Sequence, residues 1–188
     1  MNARVETYKH IRRVNELVLR MSQLLIERAI QHDDSKLMPP EAPLFEASTE
    51  KLSGLTYGSE EYKAALREID PAIQHHYQQN RHHPEFHAGM CCGGCFKVFP
   101  ADWTHRCDFC GYSVYRDDKH TLRGMNLIDL IEMLCDWKAA GERHADGDIA
   151  RSISHNQKRF HYSDELRQIM ENTANLFSAS ENASHFAA

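Results

Sequence analysis

The sequence predicts an all-helical domain that is interrupted by a small cysteine-rich module. Apolar residues recur at three- and four-residue spacing over most of the 188 residues, which is typical of amphipathic helices. Between residues 89 and 115 this spacing gives way to glycines, cysteines and short aromatic stretches that suit small strands. The length fits one domain of ordinary size together with a small module.

The first predicted helix runs from Arg4 to about Gln31, with a break near Ser22. Residues 37–45, LMPPEAPLF, contain three prolines, and we expect a turn or an extended segment there because proline interrupts a helix.

Two further helices are predicted before the cysteine-rich module. Ser59 can cap one that continues to Glu68, and Asp70 can cap the next, with Pro71 in the favoured first position. The second of these should end just before Pro84, because the residue that precedes a proline disfavours helical geometry.

The C-terminal half predicts three helices, over residues 125–143, 149–160 and 163–177. We therefore expect the helical domain to comprise residues 1–88 and 116–178, with an inserted zinc ribbon at 89–115 and a frayed tail at 179–188.

The composition excludes several classes of protein. The net charge is −5 with histidines neutral, so there is no general basic field for nucleic-acid phosphates. No run of about 18 apolar residues occurs, and the charged N-terminus lacks the apolar stretch of a secretion signal. These features predict a cytoplasmic protein that does not enter a membrane. Thirteen histidines and six cysteines instead point to metal chemistry.

Four cysteines form two CxxC pairs, Cys92 with Cys95 and Cys107 with Cys110, separated by eleven residues. Each pair can supply two thiolates to one tetrahedral zinc ion, and four thiolates leave no coordination position for catalysis. The spacing therefore predicts structural zinc. The few basic residues of the module favour this role over nucleic-acid binding through the ribbon, which is the alternative.

A second set of candidate ligands lies in the helical part. The segment His-Asp-Asp-Ser-Lys begins at His32, His10 lies one predicted helix earlier, and Asp129 lies on a later helix. This pattern resembles the HD-domain superfamily of metal-dependent phosphohydrolases, in which an early His, an HDxGK-like segment and a later Asp bind metal. Ser35 replaces the usual Gly.

The resemblance covers roughly residues 4–140 outside the cysteine module, and the whole chain is similar to an uncharacterised family of short phage and bacterial proteins. It implies an HD-like helical bundle in which His10, His32, Asp33 and Asp129 hold a divalent ion such as Mn, Mg, Co, Fe or Zn.

A histidine-rich segment supplies further ligands. On a helix beginning at Pro71, His76 and His83 share one face, and we predict that both point inward. His75 and His82 share a neighbouring face and remain alternates. Members of the superfamily with two or more metals carry additional histidines in this region, some in an HHE sequence that resembles His82-His83-Pro84-Glu85.

Acidic residues Asp129, Glu132 and Asp136 follow one another at helical spacing. We assign Asp129 as a ligand, while Glu132 and Asp136 are either ligands or part of a solvated stripe.

These observations predict a phosphohydrolase that acts on a nucleotide or a related small phosphoester through metal-activated water. Lys36 and Arg81 are candidates for gripping the phosphate, and Glu85 or Asp34 for moving the proton. Two alternatives use the same residues. One is an HD-type di-iron oxygenase, and the other is a protein that senses a nucleotide without cleaving it.

Overall fold

The computed structural model describes residues 3–55, 59–87, 89–92, 94–95, 97–99, 103–117, 122–143 and 147–184. In this part of the chain the fold is mostly helical, as predicted. The helices are α1 (Ala3–Gln31), α2 (Glu41–Ser53), α3 (Glu60–Glu68), α4 (Asp70–Gln79), α5 (Leu127–Glu142), α6 (Ile149–Phe160) and α7 (Asp164–Ser184). Short 3-10 helices span Asp34–Leu37, Pro84–His87 and Leu122–Gly124.

The helical core lies between α5, α6 and α7. Its fully buried members are Met133, Leu134, Ile153, Phe160, Tyr162, Met170 and Ala174. The α5 helix begins with a capping box, in which the Asn126 side chain accepts hydrogen bonds from backbone amides while Asp129 accepts one from the Asn126 amide. The C-terminal end of α1 packs against this same end of α5, so α5 joins the core to the candidate site.

Several predicted boundaries are wrong. The α1 helix is continuous through Ser22, whose hydroxyl donates to the Val18 carbonyl. The proline-rich segment is only partly non-helical, because α2 begins at Glu41 and places Pro43 in its first turn, where the missing amide would have no partner within the helix. At the other end of the chain, α7 continues to Ser184, beyond the predicted tail boundary at residue 179.

The α4 helix ends earlier than predicted, at Gln79 instead of just before Pro84. Asn80 has extended backbone angles, and its side-chain amide donates to the carbonyl of His76. The next turn then leads into the 3-10 helix Pro84–His87. His82 and His83 therefore lie on a turn and do not continue the face of α4.

The cysteine-rich insertion contains a three-stranded antiparallel sheet. Its strands are β1 (Gly89–Cys92), β2 (Val98–Phe99) and β3 (Val114–Asp117), in the order β2-β1-β3. Met90 pairs with Phe99 on one side and with Arg116 on the other. The insertion thus extends two residues beyond the predicted boundary at 115.

Candidate metal centres

The turn after α1 places Asp33 at the centre of the candidate site. Asp33 has a left-handed backbone conformation with φ of 57°, which aspartate tolerates better than most residues. Adjacent His32 and Asp33 would point in different directions on a regular helix, but this turn lets both face the same region. The Asp33 carboxylate oxygen Oδ2 lies 2.6 Å from Lys36 Nζ and 3.5 Å from His32 Nε2.

The other carboxylate oxygen of Asp33 faces the histidines of α4 and the following turn. Asp33 Oδ1 lies 3.3 Å from His76 Nε2 and 3.5 Å from His82 Nε2. His83 closes this side, with its Nε2 atom 2.9 Å from His76 Nε2. One carboxylate therefore separates two groups of ligand atoms, one at each of its oxygens.

Among the described residues, two groups of four histidines and aspartates have ligand atoms that all lie within 4.8 Å of one another. The first is Asp33 with His76, His82 and His83, and the second is Asp33 with His32, His82 and Asp136. Imidazoles and carboxylates in this number and spacing suit a divalent transition metal. The groups share Asp33 and His82, so they describe two adjacent centres.

A buried glutamate orients the histidine of the first centre. Glu41 is completely buried, and its carboxylate lies 2.9 Å from His76 Nδ1 and 2.7 Å from His75 Nδ1. It also accepts a hydrogen bond from the Ser35 hydroxyl at 3.1 Å. Because the Nδ1 proton of His76 is directed at this carboxylate, the lone pair of Nε2 is directed at Asp33.

Glu132 has the corresponding role at the second centre. One of its oxygens, Oε1, lies 3.0 Å from His32 Nδ1 and 3.1 Å from His82 Nδ1, and Arg28 pairs with the other oxygen. Burial opposes ionisation of Glu132, but hydrogen bonds from the two histidines and the charge of Arg28 lower its pKa to about 2. An ionised Glu132 thus accepts from His32 Nδ1, which directs the Nε2 atom of His32 toward Asp33.

The pKa values of the histidines differ between the two centres. Burial lowers the pKa of His83 to about 2, helped by neighbouring His82 and His76, and burial also lowers the pKa of His76. At His32 the hydrogen bond to Glu132 outweighs burial and raises the pKa. His76 and His83 are therefore neutral at physiological pH, the form in which imidazole binds metal.

The residues present fit a bound cation. Asp33 Oδ1 and His82 Nε2 are buried 3.5 Å apart, and neither makes a hydrogen bond to another residue in the described part of the chain. Buried polar atoms without partners are costly, and a divalent ion coordinated by both atoms would remove that cost.

The four cysteines also converge. The Sγ atoms of Cys92 and Cys110 lie 3.3 Å apart, those of Cys95 and Cys107 lie 3.6 Å apart, and all four are within 4.8 Å of one another. Burial opposes ionisation of Cys92, but the amides of Cys95 and Gly94 donate to its sulfur and lower its pKa to about 6. The predicted cluster of four cysteines able to hold a metal ion is confirmed.

Two glycines beside the cysteine cluster occupy positions that suit glycine better than other residues. A Cβ atom on Gly94 would lie 2.7 Å from the Tyr112 ring. Gly111, after the second CxxC pair, has φ of +73°, which other residues rarely adopt.

The chain is similar to a known protein family. A family model described as a family of unknown function, DUF5662, matches residues 2–177. The chain belongs to this family. No curated protein matches the chain, and no solved structure matches it.

The structure separates His10 from the other predicted ligands. His10 is exposed on α1, 22 residues before His32, which corresponds to roughly 33 Å along a straight helix. The prediction that His10 is a ligand is wrong for this geometry, because α1 is a single continuous helix and does not fold back at Ser22.

Asp129 also lies outside both ligand groups, so its assignment as a ligand is corrected. It is fully buried and lies 2.8 Å from Arg28 Nη1 and 3.2 Å from Arg81 Nη2. Burial opposes its ionisation, but the Asn126 amide and the two arginines lower its pKa. The acidic residue that joins the second centre is Asp136, two turns further along α5.

The predicted catalytic residues separate as well. Lys36 contacts Asp33 and so lies beside both centres. Arg81 instead binds Asp129 and stacks over the Phe86 ring, and Glu85 pairs with Arg159 at 2.6 Å. These partners hold both side chains outside the ligand groups, which argues against the assignment of Arg81 to the phosphate and of Glu85 to the proton.

The histidine-rich segment contributes more ligands than the helical face argument predicts. His76 and His83 were expected together, and His82 joins them because it lies on the turn after α4. His75, the other alternate, binds Glu41 instead. Sequence reasoning missed Glu41 entirely, since a single glutamate after two prolines carries no spacing signal.

Proposed function

We propose that the protein is a metal-dependent hydrolase of small phosphoesters, with nucleotides as the substrate class. The observation that carries the proposal is the position of Asp33, whose two oxygens face two overlapping sets of imidazole ligands. A carboxylate in this position can bridge two divalent ions. The resemblance of the His-Asp-Asp-Ser-Lys segment to HD-domain phosphohydrolases supports the same conclusion.

The residues around Asp33 would prepare such a site for catalysis. Divalent ions held there would lower the pKa of a bound water and neutralise charge on a phosphoester. The ions would be held by Asp33 together with His32, His76, His82, His83 and Asp136. Glu41 would keep His76 oriented, and Glu132 would keep His32 oriented. Lys36 is partly exposed beside Asp33, where its ammonium group can pair with a substrate phosphate.

We further propose that the four cysteines bind structural zinc. Four thiolates fill a tetrahedral zinc site, which leaves no position for a substrate. Clustered CxxC pairs in a protein with reduced thiols are typical of metal binding rather than of disulfides. In the described part of the chain, no helix is long and apolar enough to cross a lipid bilayer.

The test compares Asp33→Asn with His10→Gln. Each protein is stripped with a chelator, reloaded with Mn, Co, Mg, Fe or Zn, and assayed for phosphate release from a panel of nucleotides. We expect Asp33→Asn to lose at least about 100-fold in activity, because it removes the shared ligand. His10→Gln should retain wild-type activity, since His10 is remote from both centres.

Equal turnover in the wild type and in Asp33→Asn would overturn the proposal. Dioxygen consumption by the iron-loaded protein, without phosphate release, would assign the centre to oxygen chemistry. Tight nucleotide binding without turnover in every metal form would indicate a sensor.

A further inference from the structure

The N-terminal two-thirds of α1 present an apolar surface that the described residues of the chain do not cover. Every residue from 3 to 23 is exposed. Within this segment an apolar stripe recurs at helical spacing and consists of Ile11, Val14, Leu17, Val18 and Met21. Each of these side chains is between 43% and 58% exposed. A continuous apolar stripe on a surface helix marks a packing face.

The same stripe continues into the part of α1 that is packed. Leu24 and Leu25 follow it at the same spacing and are half-buried, where α1 meets α5. Beside this contact an open cavity of about 270 Å³ is lined by Leu24, Glu27, Arg28, Gln31, Asn126 and Ile128. On α5, Leu127 and Ile131 are exposed as well. The uncovered stripe of α1 therefore continues along the helix into an existing helix-helix contact.

The charge of α1 is opposite to that of the remaining chain. The helix contains six arginines and lysines and three glutamates, a net charge of +3. Because the whole chain carries −5, the rest of the protein carries −8. The projecting helix is therefore complementary in charge to the body of another copy of the same chain.

We propose that the protein forms a homodimer in which the apolar stripe of α1 packs against a second copy, in continuation of the α1–α5 contact. A two-fold axis would cover both stripes at once, because each copy offers the same projecting helix and the same adjacent surface. Burial of the stripe also explains how a helical segment of about 20 residues, exposed on all sides in the single chain, is maintained in water.

The experiment measures the mass of the full-length protein in solution by size-exclusion chromatography with light scattering. Leu17→Glu places a charge in the stripe, and Leu19→Glu is the matched control. Leu19 is 70% exposed, and its side chain lies about 200° from that of Leu17 around the helix axis. We expect the mass of two chains for the wild type and for Leu19→Glu, and the mass of one chain for Leu17→Glu.

Two further measurements keep the test independent of misfolding. Circular dichroism should show that both variants stay folded, with any loss of helicity in Leu17→Glu no larger than the exposed segment of α1 accounts for. Amide hydrogen exchange over residues 11–21 should be faster in Leu17→Glu than in Leu19→Glu. A monomeric wild type at tens of micromolar, or equal masses for the two variants, would overturn the proposal. So would a monomer that cosediments through α1 with phosphatidylglycerol vesicles, since the stripe would then bind a membrane.

Discussion

At the scale of single residues, the candidate site depends on charges buried beside histidines. Glu41 is fully buried, yet its oxygens have partners in His75, His76 and Ser35. Glu132 is similarly surrounded by His32, His82 and Arg28. Burying a carboxylate is costly unless its hydrogen-bonding capacity is satisfied. Glu41 therefore fixes the ring orientation of His76, and Glu132 that of His32, before any ion binds.

We predict that Glu41→Gln weakens metal binding by about 10- to 100-fold without unfolding the protein. A neutral amide accepts a weaker hydrogen bond from His76 Nδ1 than the Glu41 carboxylate does. The proton is then held less firmly on Nδ1, and Nε2 is less well oriented as a ligand. Metal affinity is measured by competition with a fluorescent chelator. Glu46→Gln, an exposed position on the same helix, is the control and should bind metal like the wild type. Identical affinities in both variants would show that Glu41 does not position His76.

At the scale of elements, the ends of helices decide which residues meet. The α1 helix ends one residue before His32, and the left-handed Asp33 turns the chain toward α4. The α4 helix ends at Gln79, which frees His82 and His83 to approach His76 from a turn. The cysteine-rich insertion follows α4 shortly afterward and has its own small core of Cys92, Phe99 and Cys107.

We expect Cys107→Ser to abolish zinc binding by the cysteine-rich insertion while the helical domain stays folded. The substitution removes one of four thiolates, and the insertion has little other apolar core to hold it together. Zinc per chain is measured by elemental analysis and helicity by circular dichroism. Cys135→Ser is the matched control, because Cys135 lies on α5 outside the cluster. Unchanged zinc content in Cys107→Ser would exclude the four-cysteine site.

At the scale of the whole molecule, the buried histidines couple folding to pH. The pKa of His83 is about 2 in the folded protein, far below its ordinary value of 6.5. Below pH 6.5 the unfolded chain therefore binds a proton at His83 that the folded protein does not bind. The folded state consequently loses stability as the pH falls. His76 acts in the same direction because its pKa is also lowered, whereas His32 acts in the opposite direction.

We predict that the free energy of unfolding of the metal-free protein falls between pH 7 and pH 5, and that His83→Gln reduces this slope. One histidine contributes at most about 1.4 kcal/mol per pH unit. Urea denaturation at several pH values measures the slope, with His155→Gln as a control at an exposed position on α6. Equal slopes in the wild type and in His83→Gln would contradict the assignment of His83 as a buried neutral imidazole.

The sequence alone determined the features that depend on local pattern. Three- and four-residue apolar spacing determined the helical class, and two CxxC pairs determined the cysteine cluster, because both signals arise from residues close together in the chain. The sequence also marked His32, Asp33 and the histidine-rich segment as candidates, since their residue types are unusual in such density.

Only the tertiary structure decided which candidates come together. His10 and Asp129 were candidates through the resemblance to HD-domain proteins. However, α1 continues straight past His10, and two arginines bind Asp129. Asp136 reaches the site from a helix about a hundred positions away, and Glu41 reaches it from the start of the helix that follows Asp33. No periodic signal distinguishes either residue from a solvated acid. Convergence of side chains depends on where helices end and how they pack. These properties are set by contacts between residues up to about a hundred positions apart, such as that of His32 with Glu132.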